Sequence, residues 1–198
     1  MDIVRLIHGD SNRKGPGFKE EVINTSLNGQ YPGHKQELKL GSYVKVSNHR
    51  LLQQTGSFTL QAWIFPTTPL KGAQGILTKW STADDSGYGL FLEGNGALGL
   101  RIGKENFQTG EPLSASNWYF VAATYDAPGG EITLYQQPVV TWPLDASGVV
   151  VKSTGGINST RLNELPILIA AHWLTKEAKP NDTGGHFNGK IDGPKLFS

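Results

Sequence analysis

Few residues of this 198-residue chain stand at spacings that do chemistry. Glycoside hydrolysis needs two carboxylates facing across a cleft, about 5 Å or about 6.5–9.5 Å apart according to mechanism. A strand reading Glu-x-Asp-x-(x)-Glu would place them on one face, and the sequence has none. Glu93 stands alone at the end of a strand-like run, Glu111 lies between runs, and Asp84 and Asp85 sit in a turn-rich stretch from Ser81 to Gly87. All four read as solvated turn and loop carboxylates.

Metal ligation has as little to build on. His8, His34, His49, His172 and His186 show neither His-x-His nor His-Glu-x-x-His spacing. His8 and Asp10 share one face of a short run, which fits exposed side chains better than a site. Asp192 is a weak calcium candidate, because no cluster of oxygen ligands surrounds it in sequence. Otherwise no cofactor is expected. Cysteine is absent, so disulfides, thiolate metal sites and a cysteine nucleophile go together. Gly-x-Ser-x-Gly is missing, as is the phosphate-cradling Gly-x-x-x-x-Gly-Lys-Ser/Thr.

Binding chemistry falls to aromatic residues. Trp63 and Phe65 share a strand face, Trp80 closes the next run, Tyr88 begins another, and Trp173 follows His172. Sugars stack their CH faces on flat indoles, and Arg101 and Gln61 are available as hydroxyl-orienting donors. Trp63, Phe65 and Trp173 are candidates for one shallow surface on a twisted sheet. The competing expectation is that these aromatics fill core positions or pack beneath loops.

The elements that must position them are strands. From Phe58 to Phe65 the apolar residues Phe58, Leu60, Ala62 and Ile64 alternate with Thr59, Gln61, Trp63 and Phe65, the period-two signature of a half-buried strand. Strand-like runs are expected at about 3–8, 19–24, 37–46, 57–66, 74–80, 88–93, 97–102, 117–126, 131–136, 148–152, 166–173 and 186–197. Gly94-Asn-Gly96, Pro128-Gly-Gly130 and Asp182-Thr-Gly-Gly185 supply turns between them. Residues 161–165 and 174–179 are candidates for single helical turns. Residues 9–36 are largely polar, with glycine-rich stretches that read as exposed loops. Short strands at even spacing indicate an all-β sandwich, and 21.5 kDa suits one such domain.

Eighteen basic against seventeen acidic residues leave a formal charge of +1, which steers the chain neither to nucleic acid nor to an anionic membrane. The first residues lack the basic and apolar regions of a signal peptide, and the longest apolar run, Ile167 to Ala171, is too short to span a bilayer. A cytoplasmic location is the expectation.

Six phrases recur in a known order: Gly41-Ser-Tyr-Val-x-Val46; Phe58-Thr-Leu-x-Ala-Trp-Ile-x-Pro66; Gly75-Ile-Leu-x-Lys79; Gly87-Tyr-Gly-Leu-x-Leu92; Trp118-Tyr-Phe-Val-Ala122 with Thr124-Tyr-Asp126; and Phe187-x-Gly-x-Ile-Asp192. From residue 37 onward the chain resembles laminin G-like, concanavalin A-type jelly rolls. That implies a jelly-roll β-sandwich of two antiparallel sheets over 37–198, with 1–36 as an extension joining its edge. In that fold, relatives bind glycans, proteins or steroids, and many serve only as accessory modules. At the N-terminus, Arg5-Leu-Ile-His-Gly-Asp10 and Gly15-Pro-Gly-Phe-Lys-Glu-Glu21 resemble the large subunit of N,N-dimethylformamidase-like proteins. There the jelly roll is one domain of a longer chain, and the amide-hydrolysing iron site lies elsewhere. The resemblance implies a non-catalytic recognition or scaffolding module whose partners are other domains or subunits of a larger enzyme chain. A carbohydrate-binding lectin-like domain is the alternative, and a glycoside hydrolase is the reading with least behind it.

Overall fold

The computed structural model describes residues 20–23, 41–139, 148–154, 161–179 and 182–198. Within them the chain forms two stacked, essentially antiparallel sheets. The strands are β1 (Glu20–Ile23), β2 (Tyr43–Val46), β3 (Phe58–Pro66), β4 (Gln74–Ser81), β5 (Ser86–Leu92), β6 (Ala97–Ile102), β7 (Glu105–Pro112), β8 (Tyr119–Asp126), β9 (Glu131–Pro138), β10 (Val149–Thr154), β11 (Ile167–Ile169), β12 (His172–Trp173), β13 (Thr183–Gly184) and β14 (Gly189–Phe197). One sheet runs β10-β9-β8-β3-β14. The larger runs β1-β2-β11-β4-β5-β6-β7, with β12 and β13 attached beside β4. This is the all-β sandwich that the alternation and turn chemistry call for, in the two-sheet form that the family resemblance implies.

The register on β3 decides inside from outside. Phe58 is 3% exposed, and Leu60, Ala62 and Ile64 are fully buried, so that face meets the opposite sheet. Phe58 packs on Tyr88 of β5, with ring centroids 5.0 Å apart, tying the two sheets together. Leu90, Leu92, Leu98, Leu100, Val121, Ala123, Ile132, Leu134 and Leu196 complete that core.

Strands β4 and β5 are buried along their whole length, so they have an occupied face on both sides. A lysine sits among these buried residues. Lys79 donates from Nζ to Asn48 Oδ1 at 2.8 Å and to the Leu165 carbonyl, and burial pushes its pKa down to about 8 although Glu164 opposes the shift.

Three expectations are corrected here. Residues 166–173 do not form one strand: Ala170 takes a left-handed φ of 71°, splitting β11 from β12, which then runs parallel to β4 at Trp173 and Ser81. A polar strand, β7, fills 105–112 where none was expected, and places Glu111 exposed on a strand instead of in a loop. Neither 161–165 nor 174–179 forms a helical turn; the 3-10 turn among the described residues is Arg50–Leu52, capped by His49 Nδ1 accepting from the Leu51 N–H. The run at 3–8, together with His8, Asp10 and His34, lies outside the described residues.

Candidate functional site

The outer face of the five-stranded sheet carries a cluster of aromatics, of which Trp63 is exposed and Phe65, Trp118 and Phe120 are half-buried. Because paired residues share a face, β-pairing sets Lys190 beside Phe65 and places Asp192, Trp63, Phe120 and Gln137 in one row. Trp63 is 41% exposed and its ring lies 5.2 Å from that of Phe120. Phe65 lies 5.5 Å from Trp118, and the ammonium of Lys190 sits 5.4 Å over Phe65, within cation–π range. Gln61 follows in a third row beside Ala122 and Tyr135. Phe120, Trp118 and Lys190 were not among the expected site residues. The signal for the first two was present in Trp118-x-Phe120, two aromatics a strand period apart.

The outer face of the larger sheet is organised differently. Arg101 donates to Glu93 through Nε (2.9 Å) and Nη2 (2.6 Å). Its guanidinium stacks 4.4 Å from the Phe91 ring and 4.8 Å from Trp80. His172 closes the nest edge-on to Trp80, its centroid 6.0 Å away, and Trp80 anchors itself by donating from Nε1 to the Gly103 carbonyl. Burial, then Arg101 and His186, push the His172 pKa down to about 4. The imidazole is therefore neutral near pH 7, and its Nδ1 has no hydrogen-bond partner among the described residues. Gly99 makes room for the carboxylate: a Cβ there would lie 2.6 Å from Glu93 Cγ.

These positions revise several site expectations. Glu93 is no solvated turn carboxylate; it is 4% exposed and locked to Arg101. Arg101 is correspondingly committed and does not project as a free sugar donor. Tyr88 is core, donating its hydroxyl to the Leu52 carbonyl at 2.8 Å, and burial raises its pKa far above the ordinary phenol range. Trp173 is wholly buried, with Nε1 donating to the Pro166 carbonyl, and lies in the larger sheet, so it shares no surface with Trp63. Trp80 is 4% exposed and belongs to the Arg101 nest. Trp63 and Phe65 alone of the expected aromatics remain together on an open face. Asp192 is exposed on β14 opposite Trp63, and among the described residues no group of three or more histidine and acidic side chains could hold a metal ion. Asp84 is half-buried in its turn, paired with Lys176 at 2.8 Å.

A laminin G-type profile, described as the Concanavalin A-like lectin/glucanases superfamily, matches residues 38–198. The chain belongs to that superfamily. Two curated relatives match nearly its whole length. One is an N,N-dimethylformamidase beta subunit of Alcaligenes sp, 36% identical over 99% of this chain. The other is an N,N-dimethylformamidase beta subunit of Paracoccus aminophilus, 33% identical over 99% of this chain. The chain spans 27% of the length of each. Among solved structures, a Bacteroides ovatus protein provisionally described as a carbohydrate binding protein superposes with a TM-score of 0.54 at 20% identity. It covers 78% of this chain and 40% of its own, a likeness of fold. Among the described residues no helix is long and apolar enough to cross a membrane.

Proposed function

We propose that this concanavalin A-like domain is a non-catalytic module of a cytoplasmic N,N-dimethylformamidase-type subunit, with residues 37–198 as the domain proper and 1–36 as its extension. Its role is to pack, through the outer face of the five-stranded sheet, against the rest of that polypeptide. The observation that carries this reading is the aromatic cluster of Phe65 with Trp118 and Trp63 with Phe120, in which Trp63 is exposed and the other three rings are half-buried. Contiguous aromatic surface facing solvent is a feature of interaction sites, and its flanking Lys190 and Asp192 supply a polar rim. The relatives' own length supports an occupant, since nearly three quarters of each lies outside the matched region.

The face also accommodates a second reading, a weak glycan platform, favoured by the solvent-facing indole of Trp63. Two measurements separate the readings. In the packing reading, the reading frame continues past Ser198 into a further domain, and Trp63→Glu with Phe120→Glu weakens association with that domain while the isolated chain stays folded. A stop codon after Ser198 would sink this reading. Binding on a glycan array that Trp63→Ala abolishes, with the fold intact, transfers the face to carbohydrate.

A further inference from the structure

A cavity of about 860 Å³ opens between the β14 side of the five-stranded sheet and strands β2 and β11 of the larger one. It is separate from the aromatic rows and from the Arg101 nest. Its walls are apolar, from Val44, Ile169, Ala170, Phe187 and Ile191, with the Tyr43 ring beside that of His186 at 5.8 Å. Its size falls in the range of small-molecule sites, which join apolar walls to a few convergent polar groups.

The polar groups here have one sign. Lys71 and His186 line the cavity, and no aspartate or glutamate does so among the described residues. Lys71 has no side-chain partner among those residues. Partial burial lowers its pKa, and that of His186 is lowered by burial and then by Lys71 itself. Two groups that repel one another's positive charge thus line one cleft without a counter-anion among the described residues.

The Thr183 contact fixes the histidine's role. Thr183 is fully buried, and its hydroxyl lies 3.2 Å from His186 Nε2, its hydrogen-bond partner among the described residues. Burial favours the hydroxyl as the donor, because its proton would otherwise go unsatisfied, and this assigns Nε2 as the acceptor and the ring hydrogen to Nδ1. His186 therefore has an N–H donor left over, as Lys71 has an ammonium. Gly41 is required beside the ring: at a left-handed φ of 112°, a Cβ there would meet His186 Cβ at 2.9 Å.

We infer that this cavity binds a small organic carboxylate with a compact apolar body. The carboxylate sits at Lys71 and the Nδ1–H of His186, and the apolar body lies against Phe187, Val44 and Ile169. The site does not depend on the packing role of the outer aromatic face, and its test leaves that face untouched.

The test is titration of the 198-residue chain with benzoate and with the uncharged isostere benzamide, followed by calorimetry and by the ring resonances of His186. Benzoate is expected to saturate and to shift the His186 signals, with benzamide at least about tenfold weaker. Lys71→Ala, at an exposed position, is expected to leave the thermal midpoint unchanged, to weaken benzoate at least about tenfold and to leave benzamide as it was. Equal binding of benzoate and benzamide overturns the inference, as does full benzoate affinity in Lys71→Ala. So does the lack of any response to benzoate up to about 20 mM. Inorganic phosphate that displaces benzoate at a lower concentration overturns the apolar half of the assignment.

Discussion

Arg101 and Glu93 are joined by two parallel hydrogen bonds on the outer face of the larger sheet, with the guanidinium layered against both Phe91 and Trp80. A paired charge of this kind is tolerated because each partner satisfies the other and the aromatic faces favour the cation. Removing one partner strands the other. Arg101→Ala or Glu93→Gln is expected to cost about 3–5 kcal/mol in urea unfolding, and replacing both together by apolar residues is expected to cost less than either alone. Gly99→Ala should be destabilising as well, because its methyl takes the space of the Glu93 side chain.

Phe58→Ala removes a ring that meets Tyr88 across the two sheets and Tyr125 on the neighbouring strand β8. The expected loss is about 3–5 kcal/mol, read from the shift of the denaturation midpoint at constant slope. A loss below about 1 kcal/mol would mean that the ring is not core.

Strand β3 was legible because it is half-buried: core and surface residues alternate without a break from Phe58 to Ile64. Strand β7 was not. It lies at the end of the larger sheet's order, its pattern is nearly all exposed, and only Thr109 of its residues is buried. An edge strand held by backbone pairing needs no apolar alternation, so Glu105 to Pro112 read as loop. The division at Ala170 was hidden for another reason. Its left-handed backbone is imposed by tertiary pairing, since β11 runs antiparallel and β12 parallel to the same β4, and alanine gives no local sign of it.

Acid should weaken the fold through His172. Its pKa is about 4 in the folded chain against 6.5 for the free group, so the unfolded chain takes up the proton first as the pH falls. The associated stability is fully present above pH 6.5 and is lost progressively towards about pH 4, amounting to about 3 kcal/mol. The lowered pKa of His186 acts in the same direction. Arg101 and His186 face the ring and disfavour its protonation, so Arg101→Met should reduce the slope. Denaturation midpoints between pH 4 and pH 7 that stay level would refute the assignment.

Trp63→Ala is expected to change stability little, by about 1 kcal/mol or less, because the indole faces solvent and loses mainly its contact with Phe120. Thermal unfolding checks this. Cooperative loss of structure in the variant would make Trp63 a packing residue after all.

The candidate sites were less readable than the fold because strand partners converge from distant places in the chain. Trp63 and Phe120 meet through β3–β8 pairing, and Lys71 and His186 meet at a cavity built from both sheets. Glu93 and Arg101 were within reach of inspection. They flank the Gly94-Asn-Gly96 turn of a β-hairpin, and Gly99 on the same face is the small residue that admits the carboxylate. Following the outer face of the hairpin's second strand from Ala97, which lies opposite Glu93, through Gly99 leads to Arg101, where the carboxylate finds its partner.

Strand β14 ends the order of the five-stranded sheet, and its nine residues would offer a long template for a foreign strand. The chain interrupts that template at its middle. Pairing with β3 slips between Asp192 and Lys195, where Gly193 turns to a φ of 53° and Pro194 has no N–H to give. Lys190 and Asp192 add exposed charge along the same border. Copies of the molecule are thereby discouraged from zipping together side by side into fibres, and a high local concentration of the domain remains compatible with solubility.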